Sequence, residues 1–193
     1  MKKTLSEIAE IKSGNFFRAG NSGNVLLYNI ADFSEKGRLI RQPKAVLNHN
    51  EVPKKSLLNE GDILFAAKGP KNFAWLYSGS PLPAVASSSF YIIKIINNDI
   101  LPEYLTWYLN QPAVLNQLKR KAMGTSLPLI RLADIKTLPV VIPEMDKQKQ
   151  IIRLSRLMEK ENQIMSDLIK LKETFYQTLL WQNLQSKNNN YGK

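Results

Sequence analysis

Few residues in this chain have the types and spacing that catalysis needs. There is no cysteine and His49 is the single histidine, which removes thiolate nucleophiles, disulfides and cysteine-ligated zinc. His49, in "LNHNEVP", reads as a surface turn residue. Asp134-Ile135-Lys136 has the spacing of the tail of a nuclease "(D/E)xK" metal motif. No proline–aspartate partner precedes it, and tripeptides of this kind arise by chance. A phosphate-binding glycine–lysine loop, an "NPPY"-type tetrapeptide of amino-methyltransferases and a glycine-rich cofactor fingerprint are all missing. No metal and no cofactor is therefore expected. What remains is recognition chemistry: cationic and amide side chains carried on loops.

Charge supplies the attraction such chemistry needs. The 193 residues hold 27 Lys and Arg against 16 Asp and Glu, a net charge of +11. The excess is uneven. Residues 1–143 carry 18 basic and 10 acidic residues, whereas 144–181 carry seven and six. A polyanion is thus drawn to the N-terminal part, although a basic surface also serves solubility alone.

Phosphates are met by Lys and Arg, and base edges by side chains that pair donors with acceptors. Three loops offer both. Arg18, Asn21 and Asn24 lie in "RAGNSGN"; Lys68, Lys71 and Asn72 in "KGPKN"; Thr125 and Ser126 directly after Gly124. Each reads either as a solvated loop residue or as a contact, and a shared face favours contact. Lys119, Arg120 and Lys121 read equally as phosphate ligands or as cations at a helix C-terminus. Phe16, Phe17, Phe73 and Trp75 are stacking candidates whose simpler role is core packing.

The elements that must carry these residues follow from periodicity. Thr4 to Ile11 predicts a short helix ended by Gly14, and strands are expected at about Val25–Ile30, around Ile63–Ala66 and in "SSSFYIIKII". "GRLIRQPKAVLN" is extended and broken by Pro43. Pro102 opens a helix, interrupted at Asn110-Gln111-Pro112 and resumed from Ala113 to Met123, with Gly124 as its stop. A helix-turn-helix over 103–122 is disfavoured by Pro112 in the connection and by early apolar residues where base-readers belong. Leu138–Ile142 reads as a strand, with Pro139 marking an edge.

From Glu144 no proline or glycine occurs until Gly192. Leu154, Leu157, Glu161, Ile164, Leu168, Leu171 and Phe175 alternate steps of three and four. They form a heptad seam with one polar member, which either sets register or reaches solvent. Ile151, Met158, Met165 and Ile169 widen the face. A helix of about 35 residues extends roughly 50 Å and wants another helix beside it. The expected fold is α+β: a mostly β globe with short helices over 1–143, one long coiled-coil-type helix over 144–184, and a polar tail over 185–193.

In order and spacing, "LSEIAEIKSG", "EGDILFAAKG", "LPEYLTWYLNQPAVLNQL" and "GTSLPLIRLADIKTLPVVIPEMDKQKQII" resemble type I restriction–modification specificity (S) subunits. The family pattern is a glycine turn, an apolar strand ending in proline, and an acidic-glutamine helix start. Here the last piece is Glu144 to Ile151, with Lys147 where the family has Glu before Gln148. The resemblance spans nearly the whole chain. It implies a target recognition domain followed by a spacer helix, present once where a full-length subunit has two, hence a half-subunit or a fragment.

It further implies a non-catalytic reader of one half of a split site in double-stranded DNA. Such a reader recruits methyltransferase and restriction subunits and pairs through the long helix with its own copy or a second specificity half. The N-terminus turns polar at once and no window approaches a membrane span, so the cytoplasm is the expected location. The rivals are a small metal-dependent nuclease using Asp134 and Lys136, and a helix-docking interaction module whose basic surface is incidental.

Overall fold

The runs "ILFA" and "FYII" contain no polar residue, as strands covered on both faces require. In the computed structural model, which describes residues 1–121 and 129–188, they lie in the two central strands of a sheet. By its contacts the chain divides into two units, Met1–Gln150 and Ile151–Lys193.

The first unit begins with β1 (Lys2–Thr4), α1 (Leu5–Ile8) and β2 (Ala9–Ser13). Then come β3 (Val25–Tyr28), β4 (Lys44–Leu47), β5 (Ile63–Ala66), β6 (Ala74–Leu76), β7 (Ala84–Ala86) and β8 (Phe90–Ile95). Its last elements are α2 (Pro102–Leu109), α3 (Pro112–Lys121), α4 (Leu132–Lys136) and β9 (Pro139–Val141). Helix α5 (Met145–Asn188) starts in this unit and continues through the second.

One sheet has four antiparallel strands in the order β2-β8-β5-β6. A second has the order β4-β3-β7, with β3 antiparallel to β4 and parallel to β7. β1 pairs only with β9, placing Thr4 opposite Pro139. Pro139 thus stands in a two-stranded ribbon, where a missing N–H is tolerated.

Among the described residues, two apolar clusters pack beside the sheets, with further buried residues such as Ile8, Ile93, Leu105 and Leu109 outside them. The larger joins Tyr28, Phe33, Leu64, Phe73, Tyr77 and Phe90, with Trp75 packed against it. The Phe33 ring centroid lies 5.2 Å from those of both Phe73 and Trp75. The smaller joins Val25, Leu27, Leu47, Val52 and Val85, with Phe17 against it. Phe73 is therefore a core residue, and Phe17 and Trp75 pack partly buried against the clusters.

The sequence-based expectations need correction at the N-terminus and completion elsewhere. The Thr4–Ile11 helix is a single turn, because Ala9 and Ile11 are buried while Glu10 and Lys12, alternating with them, are exposed. That period of two suits the β2 pairing with β8. The extended run before Pro43 is the returning arm of a hairpin whose turn is Ser34–Gly37, described below. α4, β6 and β7 were not foreseen, since three to five residues are too few to display a period. The expected stop at Gly124 lies outside the described residues.

Polar side chains brace the long-range joins. Gln148, in the first turns of α5, has no exposed surface. Its Oε1 accepts the Leu101 N–H at 2.9 Å, and its Nε2 donates to the Asp99 and Pro143 carbonyls at 2.7 and 2.9 Å. The root of α5 is thereby tied to the chain entering α2 and to the end of β9. At the far end of α2, the Asn110 carboxamide accepts the Ala74 N–H and donates to the Ala74 carbonyl, both at 2.8 Å. It stands in for a neighbouring strand on the outer edge of β6, where unpaired backbone groups invite misassembly.

Gln148→Ala removes all three bonds from a buried position and is expected to cost at least about 2 kcal/mol in urea unfolding, because stranded buried polar groups keep their desolvation penalty. Asn110→Ala should cost about 1–3 kcal/mol for the same reason. An unchanged urea midpoint in either variant refutes the bracing role of that residue.

Candidate nucleic-acid interface

Register decides which loops are neighbours. Ser13, ending β2, lies opposite Tyr91, and Ala66, ending β5, lies opposite Phe90. Tyr28 and Ala86, ending β3 and β7, are partners, and the Ser87 N–H donates to the Tyr28 carbonyl at 3.0 Å. The segments starting at residues 14, 29, 67 and 87 therefore leave the sheets at one end. Lys68 forms an isolated bridge with Leu129, and the Ile130 N–H donates to the Ala67 carbonyl at 3.0 Å. The Tyr91 hydroxyl donates to the Ile130 carbonyl at 2.9 Å. Leu129 and Ile130 thus also reach this end.

The loop 14–24 is held at several points. A Cβ at Gly14 would collide with the Ser87 carbonyl, and one at Gly23 with the Leu47 carbonyl. The Gly20 N–H donates to the Val46 carbonyl, and the Asn15 amide to Ser56 Oγ at 2.7 Å. Between these anchors Arg18 and Asn21 are exposed. Phe16 is 85% exposed, a costly placement for an aromatic ring that leaves it free to meet an apolar or stacking partner. Asn24 serves the loop itself: its Oδ1 accepts the His49 N–H at 2.8 Å.

The second loop divides the same way. Lys68 is exposed, whereas Asn72 is buried and its amide donates to the Ala66 carbonyl at 3.0 Å. Lys71 Nζ donates to the Phe33 carbonyl at 3.1 Å and lies 3.4 Å from Glu35 Oε1. Those two side chains hold protein to protein. Lys119 and Arg120 are exposed on α3 and, with Ala113 and Asn116, line a shallow open depression. Only the backbone of Lys121 is described, and Thr125 and Ser126 lie outside the described residues.

Lys36, Arg38 and Arg41, outside the loops expected to meet DNA, are also exposed in the segment that leaves β3. Ser34-Glu35-Lys36-Gly37 carries residue types of a turn, a signal legible in the sequence just ahead of the extended run that begins at Gly37.

The nuclease tripeptide is differently employed. Asp134 is buried, with its carboxylate 2.7 Å from Arg131 Nε and 3.3 Å from an Arg131 terminal nitrogen. That pairing raises the Arg131 pKa above its ordinary value. Among the described residues, no three His, Asp or Glu side chains are grouped to hold a metal.

In the second unit, Leu154, Leu157, Glu161, Ile164, Leu168, Leu171 and Phe175 are all exposed. The apolar surface runs beyond the expected seam through Tyr176, Leu179, Leu180, Trp181 and Leu184. Among the described residues no helix is long and apolar enough to cross a membrane.

Comparison with known proteins bears on this arrangement. No curated protein matches the chain. Similar solved structures include a chain of a type I R-M system studied for complex assembly and conformational transition, 20% identical with a TM-score of 0.66. Two others are the HsdS subunit from Thermoanaerobacter tengcongensis, 21% identical with a TM-score of 0.60, and the type I restriction-modification S subunit from M. genitalium, 15% identical with a TM-score of 0.56. These alignments cover 85%, 85% and 89% of this chain but 43%, 43% and 42% of the other chains, so the chain spans under half their length. They share its fold. The pattern of one family, the type I restriction modification DNA specificity domain, matches residues 1–173, and the chain belongs to that family.

Proposed function

We propose that this chain is a non-catalytic DNA-reading subunit that recognises one half of a split duplex site. The observation that carries this reading is the departure of several cation-bearing loops from one end of the sheets, with Arg18, Asn21 and Lys68 exposed on them. Cations there attract phosphates, and amide and guanidinium groups are suited to base edges. Lys119 and Arg120 add phosphate contacts from α3. Thr125 and Ser126 belong to the same proposal through the approach of Leu129 and Ile130 to the 67–68 backbone.

The uncovered apolar surface of α5 supports the second half of the reading. Two copies pair through the seam from Leu154 to Phe175, and a twofold pair reads an inverted repeat across a fixed gap. Methyltransferase and restriction subunits then supply the chemistry, which agrees with an Asp134 carboxylate already engaged by Arg131. Such work belongs in the cytoplasm.

The full chain should bind a mixed-sequence duplex with an affinity that falls steeply with salt, with a log–log slope of about −4 if four or five phosphates are neutralised. It should leave the duplex uncut in magnesium. A salt-insensitive or undetectable interaction overturns the reading, and cleavage overturns its non-catalytic part. Ile164→Glu with Leu168→Glu places two charges in the seam at a desolvation cost of several kcal/mol. The doubly substituted chain should sediment as a monomer and lose split-site specificity while the parent sediments as a dimer. If it stays dimeric and specific, the helix pairing is wrong.

A further inference from the structure

The segment following β3 folds into a hairpin. Phe33 and Leu39 form an antiparallel bridge, the Ser34 N–H donates to the Arg38 carbonyl at 2.8 Å, and the Gly37 N–H donates to the Ser34 carbonyl at 3.0 Å. The Ile40 and Arg41 N–H groups both donate to the Asp32 carbonyl. Gly37 has φ +73°, a left-handed conformation that glycine adopts without steric penalty. It sits against the Phe73 ring, where an added Cβ would collide. The hairpin is thus seated on the aromatic core with its tip, Glu35 and Lys36, exposed.

Glu35 is the only acidic residue between positions 33 and 50, and it stands beside Lys36. Left alone it would repel a phosphate approaching the tip. Lys71 offsets that charge from the neighbouring loop while anchoring the Phe33 carbonyl. Lys36 and Arg41 remain exposed, on a support that needs little ordering when a ligand arrives. Lys68, three positions before Lys71, is exposed on the bracing loop.

We propose that the hairpin 32–41 is a phosphate-contacting arm of the DNA interface, with Lys36 and Arg41 as its ligands. Lys71 is its positioning residue and does not itself touch DNA. The inference rests on the DNA-reading function argued above. It goes further by reassigning Lys71 and adding two contacts that no loop-composition argument selects.

A double-mutant cycle on the full chain, read by titrating a mixed-sequence duplex at several salt concentrations, tests it. Lys36→Ala with Arg41→Ala should weaken binding about tenfold or more and reduce the magnitude of the salt slope by about two. Lys71→Met should weaken binding several-fold in the parent but change it less than about twofold where Lys36 and Arg41 are already replaced, since coupled residues do not add. Lys71→Arg should restore most of the affinity. Thermal melting accompanies each titration; a general loss of stability would penalise Lys71→Met equally in both backgrounds and overturn the positioning role. An unchanged slope in the Lys36/Arg41 variant overturns the arm while leaving the DNA-reading function standing. Failure of the parent chain to bind with salt dependence instead removes that function itself.

Discussion

The carboxamide of Gln148 is the join on which the first unit depends. It is buried at the root of α5 and makes three hydrogen bonds, to the backbone of Leu101, Asp99 and Pro143. These points are far apart in the chain: the connection from β8 into α2, and the exit from β9. A charged residue would bring a desolvation penalty and an apolar one would strand the backbone groups. Only a side chain offering both donors and an acceptor satisfies all of them.

From that join, polar braces lead toward the end of the sheets where the loops emerge. α2 begins beside Gln148 and terminates at Asn110, whose amide completes the outer edge of β6 at Ala74. Asn72, two residues earlier, turns its amide onto the Ala66 carbonyl at the end of β5. Lys71, next in line, reaches the hairpin on the neighbouring segment. The loops are consequently built on strand ends and shaped by side-chain hydrogen bonds, an arrangement that holds exposed groups in place without burying them.

The two units present different surfaces. In the first, cations are exposed at loops and on α3, while buried carboxylates such as Asp62 and Asp134 are paired internally with Lys94 and Arg131. In the second, residues 151–193 carry seven basic and four acidic residues, and the uncovered surface is apolar along α5. A polyanion suits the former and another protein helix suits the latter. These are the two kinds of contact that the proposed reading of a split DNA site through a paired helix would use.

Composition and periodicity alone determined the α+β class, the main central strands, the Pro102 helix and its break before Pro112, the long C-terminal helix and its apolar seam. Each of these depends on residues near one another in the chain, either a run without polar members or a step of three and four repeated over many turns. Candidate loops were legible for the same reason, through their glycine and their cations. The duties of individual loop residues were not. Arg18 and Asn24 share a loop, as do Lys68 and Lys71, yet one of each pair is presented and the other bound to the protein. That choice was made by tertiary structure, because a hydrogen bond from Lys71 to Phe33 spans 38 positions. The strands β6 and β7 likewise owe their existence to partners distant in sequence, and a short segment carries no local record of what it will pack against; the hairpin at 32–41 closes on local hydrogen bonds, but its seat on Phe73 is decided at long range.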